Sequence, residues 1–453
     1  MVGVIKVSET NEIKRIKIPK RIASGIINAL KGGVVPRVGL GYISVGRTNE
    51  INALLHDVSI AEEGGAFFRF IMGRYGSGKS FLLQTMRQHV MDRGFAACDA
   101  DLSPERRLMG TNGQGLATYR ELMRSLSVKA KPDGGALSLI LEKWIDGIRG
   151  EVLADGMTRD NIFFDVEVEK RIYAKINSLQ DMVHGFDFAA VITAYYHGFR
   201  DGNEVQQTNA VRWLRGEYST RTQAKQDLGV NVIISDDNWY DYIKLITAFL
   251  VSAGYKGMVV MIDELVNIMK ISNSVTRHNN YEKILMMYND VMQGKASHIG
   301  IIMGGTPQCI EDTRRGVFSY DALRSRLERG RFATDETHDL LAPIIRLNPL
   351  TYEELTVLTE KLSDIHSQLY DYESKVTLED RIFFVKAEFE RIGAQTNITP
   401  REMIRDYIEL LNIMYQNPDK TLPQLMGSED FSFTQSEGES GDDSGDGFAD
   451  FEL

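Results

Sequence analysis

Eight consecutive residues constrain this chain more than anything else in it. Gly73-Arg74-Tyr75-Gly76-Ser77-Gly78-Lys79-Ser80 fits G-x-x-x-x-G-K-[ST] without deviation. The pattern means something only between a strand and a helix, and both are legible. Ala66–Met72 (AFFRFIM) reads as a buried strand and Ser80–Arg93 as a helix. Glycines in such a turn let backbone N–H groups curl around a β-phosphate without Cβ clashes, and the helix N-terminus adds positive potential. Lys79 would reach the β- and γ-phosphates, and the Ser80 hydroxyl would hold Mg²⁺. The expected nucleotide contacts run from Gly73 through Arg74, Tyr75, Gly76, Ser77, Gly78, Lys79 and Ser80 to Phe81, with ATP and Mg²⁺ as the cofactors.

A phosphate loop implies binding, whereas hydrolysis needs a further carboxylate. Met258-Val-Val-Met-Ile-Asp263-Glu264 supplies one: Asp263 at the C-terminal end of a buried strand can bind Mg²⁺, and Glu264 can polarise the attacking water. A surface Asp-Glu pair closing a strand is common. Five apolar residues before it, in a chain that already carries the loop, favour the functional reading, because open α/β sheets place ligands at strand C-termini.

At 453 residues the chain is long enough for two or three domains. Further strands are expected at Phe95–Leu102, Ile299–Met303 and Ile344–Leu347, and helices at Arg21–Leu30, at Leu116–Leu126 and from an N-cap at Thr48. Strands separated by long crossovers argue for an α/β fold with a parallel sheet. The expected organisation is a basic N-terminal arm (1–40), an ATPase core (41–348) with a helical insertion at about 137–250, a small helical lid domain (349–420) and a disordered acidic tail (421–453).

Charge sharpens that division. Of the net −11, nine acidic residues and no Lys or Arg fall in 421–453, leaving 54 acidic against 52 basic residues, a net −2, in the body. A strongly basic nucleic-acid coat is excluded; a local basic face is not. Cys98 and Cys309 are too few for a disulfide framework or a Cys-based zinc site. Without a signal-peptide core or a run of 18 apolar residues, a cytoplasmic protein with no membrane segment is expected.

Three segments carry interaction readings beside plainer ones. Asn209–Val230 forms two helical halves around Gly216, the second ending in Leu-Gly-Val. As a helix-turn-helix it would bring Arg212, Arg215, Arg221 and Lys225 to DNA phosphates; as an amphipathic hairpin it would bury Trp213 and Leu214. Lys14, Arg15, Lys17, Lys20 and Arg21 read as a solvated arm that could touch a neighbouring subunit. Phe431, Phe433, Phe448 and Phe451 stand among tail acids, either in a solubilising tail or as anchors for a partner's basic, apolar groove.

Phosphate loop and strand-end carboxylates together resemble an AAA+ P-loop ATPase, in the branch that includes initiators and helicase loaders. Gly46-Arg47-Thr48-Asn49-Glu50, about 27 residues before the loop, is similar to the segment beside the adenine in that superfamily, which implies a nucleotide contact for Arg47. Ile299-Gly-Ile-Ile-Met-Gly-Gly-Thr306 resembles the sensor-1 strand, with Thr306 near the γ-phosphate or, alternatively, a turn or capping residue before Pro307. Tyr320-Asp-Ala-Leu-Arg324-Ser-Arg326-Leu resembles the box that supplies an arginine finger to a neighbouring subunit. Arg326 is preferred and Arg324 next, although with Arg329 they also fit one solvated basic face. Thr399-Pro400-Arg401-Glu402 lies where a sensor-2 arginine often sits, yet a helix cap explains every residue of it except Arg401.

The similarity narrows further. Asp99-Ala-Asp101-Leu-Ser-Pro-Glu-Arg-Arg, Trp213-Leu-Arg-Gly-Glu, Lys256-Gly-Met-Val-Val-Met-Ile-Asp-Glu-Leu-Val-Asn-Ile and Arg277-His-Asn-Asn-Tyr-Glu resemble the ATP-binding BrxC/BrxD-type proteins of bacterial BREX phage-defence systems, over roughly residues 15–420, with a length like the BrxD-like members. That resemblance implies an oligomeric ATPase acting with a helicase, a nuclease or other defence proteins on DNA. A slow-hydrolysing switch or helicase loader is the competing class. A metabolic kinase would need an acceptor pocket that the sequence does not reveal.

Overall fold

The computed structural model describes residues 17–180, 182–330, 339–391 and 399–427. Lys14, Arg15 and the four tail phenylalanines lie outside them. The chain forms two compact units, Arg47–Asn348 and Met1–Gly46 with Pro349–Leu453.

Short apolar runs build the sheet of the first unit: β1 (Ala66–Met72), β2 (Ala96–Asp101), β3 (Met258–Asp263), β4 (Ile299–Gly305) and β5 (Ile344–Arg346). All pairings are parallel, in the order β2-β3-β4-β1-β5. Successive side chains alternate between two faces. Phe67 and Ile71 pack with Leu54, Leu82 and Met86 of the helices Thr48–Glu62 and Lys79–Asp92, while Phe68 and Phe70 pack into a second core with Ile284 and Tyr288 of the helix Ser274–Met292. Both faces are therefore covered, which is why β3 up to Ile262 and β4 read as unbroken apolar runs, while β1 accommodates Arg69 by pairing it with the buried Asp57. Each fully buried Ile or Phe contributes about 2 kcal/mol relative to exposure.

The connection from β2 to β3 carries the insertion. The helices Leu137–Ala154, Phe164–Gln180, Gly185–Asp201, Glu204–Leu214, Arg221–Leu228 and Trp239–Ser252 share the second core through Trp144, Trp213, Trp239 and Phe249. Here the helix-turn-helix reading is corrected. Arg221–Leu228 ends at Gly229 in the left-handed conformation, and no recognition helix follows it directly. Val230 and Ile234 are buried, and the chain forms no helix again until Trp239. Trp213 Nε1 donates to the Val232 carbonyl (2.8 Å), Leu214 is buried, and the Arg212 guanidinium lies 5.1 Å over the Tyr218 ring. The segment is a packed hairpin. A smaller correction concerns Thr48, which is the first helical residue rather than the N-cap: the Arg47 carbonyl accepts the Ile51 N–H (3.0 Å), and no side chain caps this end.

In the second unit the stretch read as a basic arm is a packed helix from Lys20. Lys20–Lys31 turns Ala23, Ile26, Ile27 and Leu30 inward against the helices Tyr352–Tyr370 and Pro400–Gln416, and leaves Lys20 outward, paired with Asp371. Thr351 and Glu354 form a capping box. Thr399 caps Pro400–Gln416 by accepting the Glu402 N–H (3.5 Å), while its hydroxyl donates to the Glu402 carboxylate (3.1 Å). The Cδ atoms of Arg401 and Arg405 lie 3.8 and 3.9 Å from where a Cβ on Gly33 would stand.

Candidate functional site: the phosphate loop and its carboxylates

β1 stops at Met72 and the loop begins. Gly78 takes φ +93°, a left-handed conformation that glycine adopts without steric cost, and thereby opens the helix Lys79–Asp92. A Cβ on Gly73 would lie 2.4 Å from Ser77 Oγ, so the turn closes only around glycine. Lys79 Nζ donates to the Gly73 and Arg74 carbonyls (both 2.9 Å). Ser77 Oγ is buried without a hydrogen-bond partner among the described residues, a costly state that an incoming oxygen acceptor would relieve. Ammonium, orphaned hydroxyl and helix N-terminus at one turn fit a polyphosphate. Arg74 and Tyr75 are exposed at the tip, and Phe81 is half-buried in the first helical turn.

Arg47 supports the loop from behind. Its buried guanidinium donates to the carbonyls of Ser77 (3.1 Å) and Asn348 (2.8 Å) and pairs with Glu50 (3.2 Å).

Strand order brings the carboxylates to the loop. β4 lies between β1 and β3, with Met72 beside Gly305 and Ile262 beside Met303. Asp263, nearly buried, accepts the Ser80 hydroxyl on Oδ2 (2.8 Å) and the Glu264 N–H on Oδ1 (2.8 Å). Glu264 itself has φ +62°, a strained backbone for a non-glycine residue. Ser80 and Asp263 thus present hard oxygen donors within one coordination distance of a common point, a set that fits Mg²⁺ completed by water and phosphate oxygens. Among the described residues, no three His, Cys, Asp or Glu side chains form an all-protein metal cluster.

Thr306, at the end of β4, is a capping residue in fact. Its Oγ1 accepts the Cys309 N–H (3.3 Å), and its own N–H donates to Cys309 Sγ (3.1 Å). Lys79, Ser80, Asp263, Glu264 and Thr306 therefore follow the ends of adjacent strands or the loop between them. Arg324 and Arg326 sit on the helix Asp321–Leu327, where Arg324 pairs with Glu328 (3.5 Å) and Arg326, exposed, donates to the Ala322 carbonyl (2.6 Å). Arg401 belongs to the other unit.

Sequence reasoning gave no site role to three neighbours. Asp101 closes β2 in register with Asp263, and its carboxyl is pushed up to about 6 by desolvation and by the charges of Asp263, Asp99 and Glu264. Cys309 holds Thr306, and burial raises its thiol to about 11. Gly304 faces Asp263 across the sheet. The signal for Asp101 was available as Asp99-x-Asp101 at a strand end, two residues apart and so on one face.

A parallel sheet with this loop and these strand-end carboxylates is consistent with a P-loop NTPase. The chain belongs to the family of BREX system ATP-binding proteins BrxC/D, whose family model matches residues 18–430. ATP binding and a place in BREX phage defence are the properties of that family. No curated protein matches the chain. Among the described residues, no helix is long and apolar enough to cross a membrane.

Proposed function

We propose that this protein is an AAA+ ATPase of bacterial phage defence that couples Mg²⁺-dependent ATP hydrolysis to assembly or remodelling on DNA with partner defence proteins, as a cytoplasmic homo-oligomer. The observation that carries the hydrolytic part is the Ser80–Asp263 hydrogen bond of 2.8 Å with Glu264 adjoining it. Lys79 exchanges its two loop carbonyls for phosphate oxygens, and the loop N–H groups hold the β-phosphate. Ser80 and Asp263 would hold Mg²⁺, which neutralises charge on the β- and γ-phosphates when bound. Glu264 orients the attacking water and accepts its proton, and Thr306 contributes a polar group beside the γ-phosphate. The helical domain acts as a lid, with Arg401 reaching the nucleotide, and Arg326, or else Arg324, completes a neighbour's site.

A second reading is a slow-hydrolysing switch or helicase loader. It is favoured by the exposure and local contacts of Arg324 and Arg326, which leave the finger to a second subunit. Phosphate release measured with and without DNA separates the two: strong stimulation supports the coupled ATPase, and slow turnover unmoved by DNA supports the switch. Mixing Arg326→Ala with Lys79→Ala subunits tests the shared site; activity that differs from the sum of the separate rates is expected, and strictly additive rates would reject a finger acting in trans.

A further inference from the structure

Gly304 stands in the middle of the sheet, on a strand flanked on both sides, where a glycine weakens β structure. Its backbone is not in the left-handed region that favours glycine, so torsion alone would admit any residue. Space would not. A Cβ built on Gly304 lies 2.2 Å from Asp263 Oδ1, 2.9 Å from its Cγ and 3.5 Å from its Cα. The position that a side chain would fill is taken by the Asp263 carboxylate.

We propose that Gly304 is a positioning residue for Asp263, its missing side chain letting Oδ1 lie against β4 so that Oδ2 is turned toward Ser80. The two oxygens then have separate tasks. Oδ1 is fixed by the Glu264 N–H and by the bare backbone of β4, and Oδ2 is the oxygen offered outward at 2.8 Å from Ser80 Oγ. The Gly304 carbonyl accepts the Leu265 N–H (3.2 Å), so the same residue also ties down the turn that follows Asp263. A methyl group at position 304 must displace a short, doubly held carboxylate, because neither the strand nor Asp263 has a flexible end to yield. The consequence for metal binding rests on the Mg²⁺ role proposed above; the steric coupling does not.

The test is a mutant cycle read by thermal unfolding without nucleotide or metal. Gly304→Ala should lower the midpoint in the otherwise native chain and lower it much less in an Asp263→Ala background, where the space is vacated. Equal losses in both backgrounds would overturn the proposal, because the strand and not the carboxylate would then require glycine. A Gly304→Ala protein that does not fold is decided by the same cycle: folding of the double variant supports the proposal, and failure of both rejects it. Nucleotide affinity with and without Mg²⁺ reads the consequence. Tightening by Mg²⁺ should fall about 10–100-fold in Gly304→Ala, as expected for loss of a group that orients a metal ligand, with metal-free affinity little changed. Gly300→Ala, also on β4, whose Cβ would meet the ring of Phe67 on β1 at 2.2 Å, should lose stability and keep the tightening. Full tightening in Gly304→Ala would contradict the positioning role. A native chain showing no tightening would refute the Mg²⁺ reading while the unfolding cycle still decides on Gly304.

Discussion

The phosphate-loop end of the sheet and the helical insertion use polar side chains in opposite ways. At the loop, polar groups converge: Ser80 meets Asp263 across 183 residues of sequence, and Ser77 keeps a buried hydroxyl without a hydrogen-bond partner among the described residues. In the insertion several of them serve packing instead. Arg212 covers Tyr218, Tyr218 donates to Asp227 (2.9 Å), and Trp213 and Trp239 donate to the Val232 and Leu108 carbonyls (2.8 and 3.0 Å). An orphan alone does not mark chemistry, since the insertion also buries Trp144 Nε1 and the Tyr240 and Tyr242 hydroxyls without hydrogen-bond partners among the described residues; the loop differs in joining its orphaned hydroxyl to an ammonium, a carboxylate and a helix N-terminus.

Variants should separate the two regions. The largest effect is expected from Trp213→Ala, which empties a fully buried site and should cost about 3–5 kcal/mol of stability, measured by denaturant unfolding, with nucleotide affinity per folded molecule unchanged. Lys79→Ala should do the reverse. Removing its charge-assisted contacts of about 1.5–3 kcal/mol weakens ATP binding roughly 10–100-fold by titration calorimetry, while the unfolding midpoint holds. Arg212→Ala should lose about 0.5–1 kcal/mol from the stacked guanidinium and leave DNA affinity intact. A large fall in DNA affinity with stability preserved would return that arginine to the phosphate-contact reading.

The smallest effect concerns pH. The Asp101 carboxyl is raised from an ordinary 3.8 to about 6, so between those values the folded state holds a proton that the unfolded chain has released. Stability from this group is present at low pH and declines as pH rises from about 4 to 6, with the loss complete above it. Asp101→Asn should flatten that decline in metal-free protein and raise the midpoint at pH 7 relative to the native chain. An unchanged pH profile would show that Asp101 does not feel its neighbours.

What could be read beforehand follows from the same contrast. The loop is local, because the positions of its glycines, Lys79 and Ser80 are set by spacing within one turn, and β3, β4 and most of β1 announce themselves as apolar runs. Asp263 was legible because five apolar residues, Met258-Val-Val-Met-Ile, precede it in a chain that already carries the phosphate loop. Gly304 and Asp101 were not, since their significance lies in which strand stands beside β3, and strand order is a tertiary fact. Sequence could not choose between the hairpin's two readings, because amphipathic spacing shows that a helix has two faces without showing which is buried. The end of the second half at Leu-Gly-Val was read correctly, but the burial of Val230 and Ile234 in the core depends on distant partners.

The central claim is that Ser80, Asp263 and Glu264 form a Mg²⁺-dependent hydrolytic site. Its most direct measurement is phosphate release by the purified protein beside Glu264→Gln, with ATP binding followed in the same samples. The expected result is Mg²⁺-dependent turnover in the native chain, reduced about 10²–10⁴-fold in the variant, with ATP still bound. Equal turnover in the two proteins, or a native chain whose ATP binding and hydrolysis ignore Mg²⁺, would contradict it.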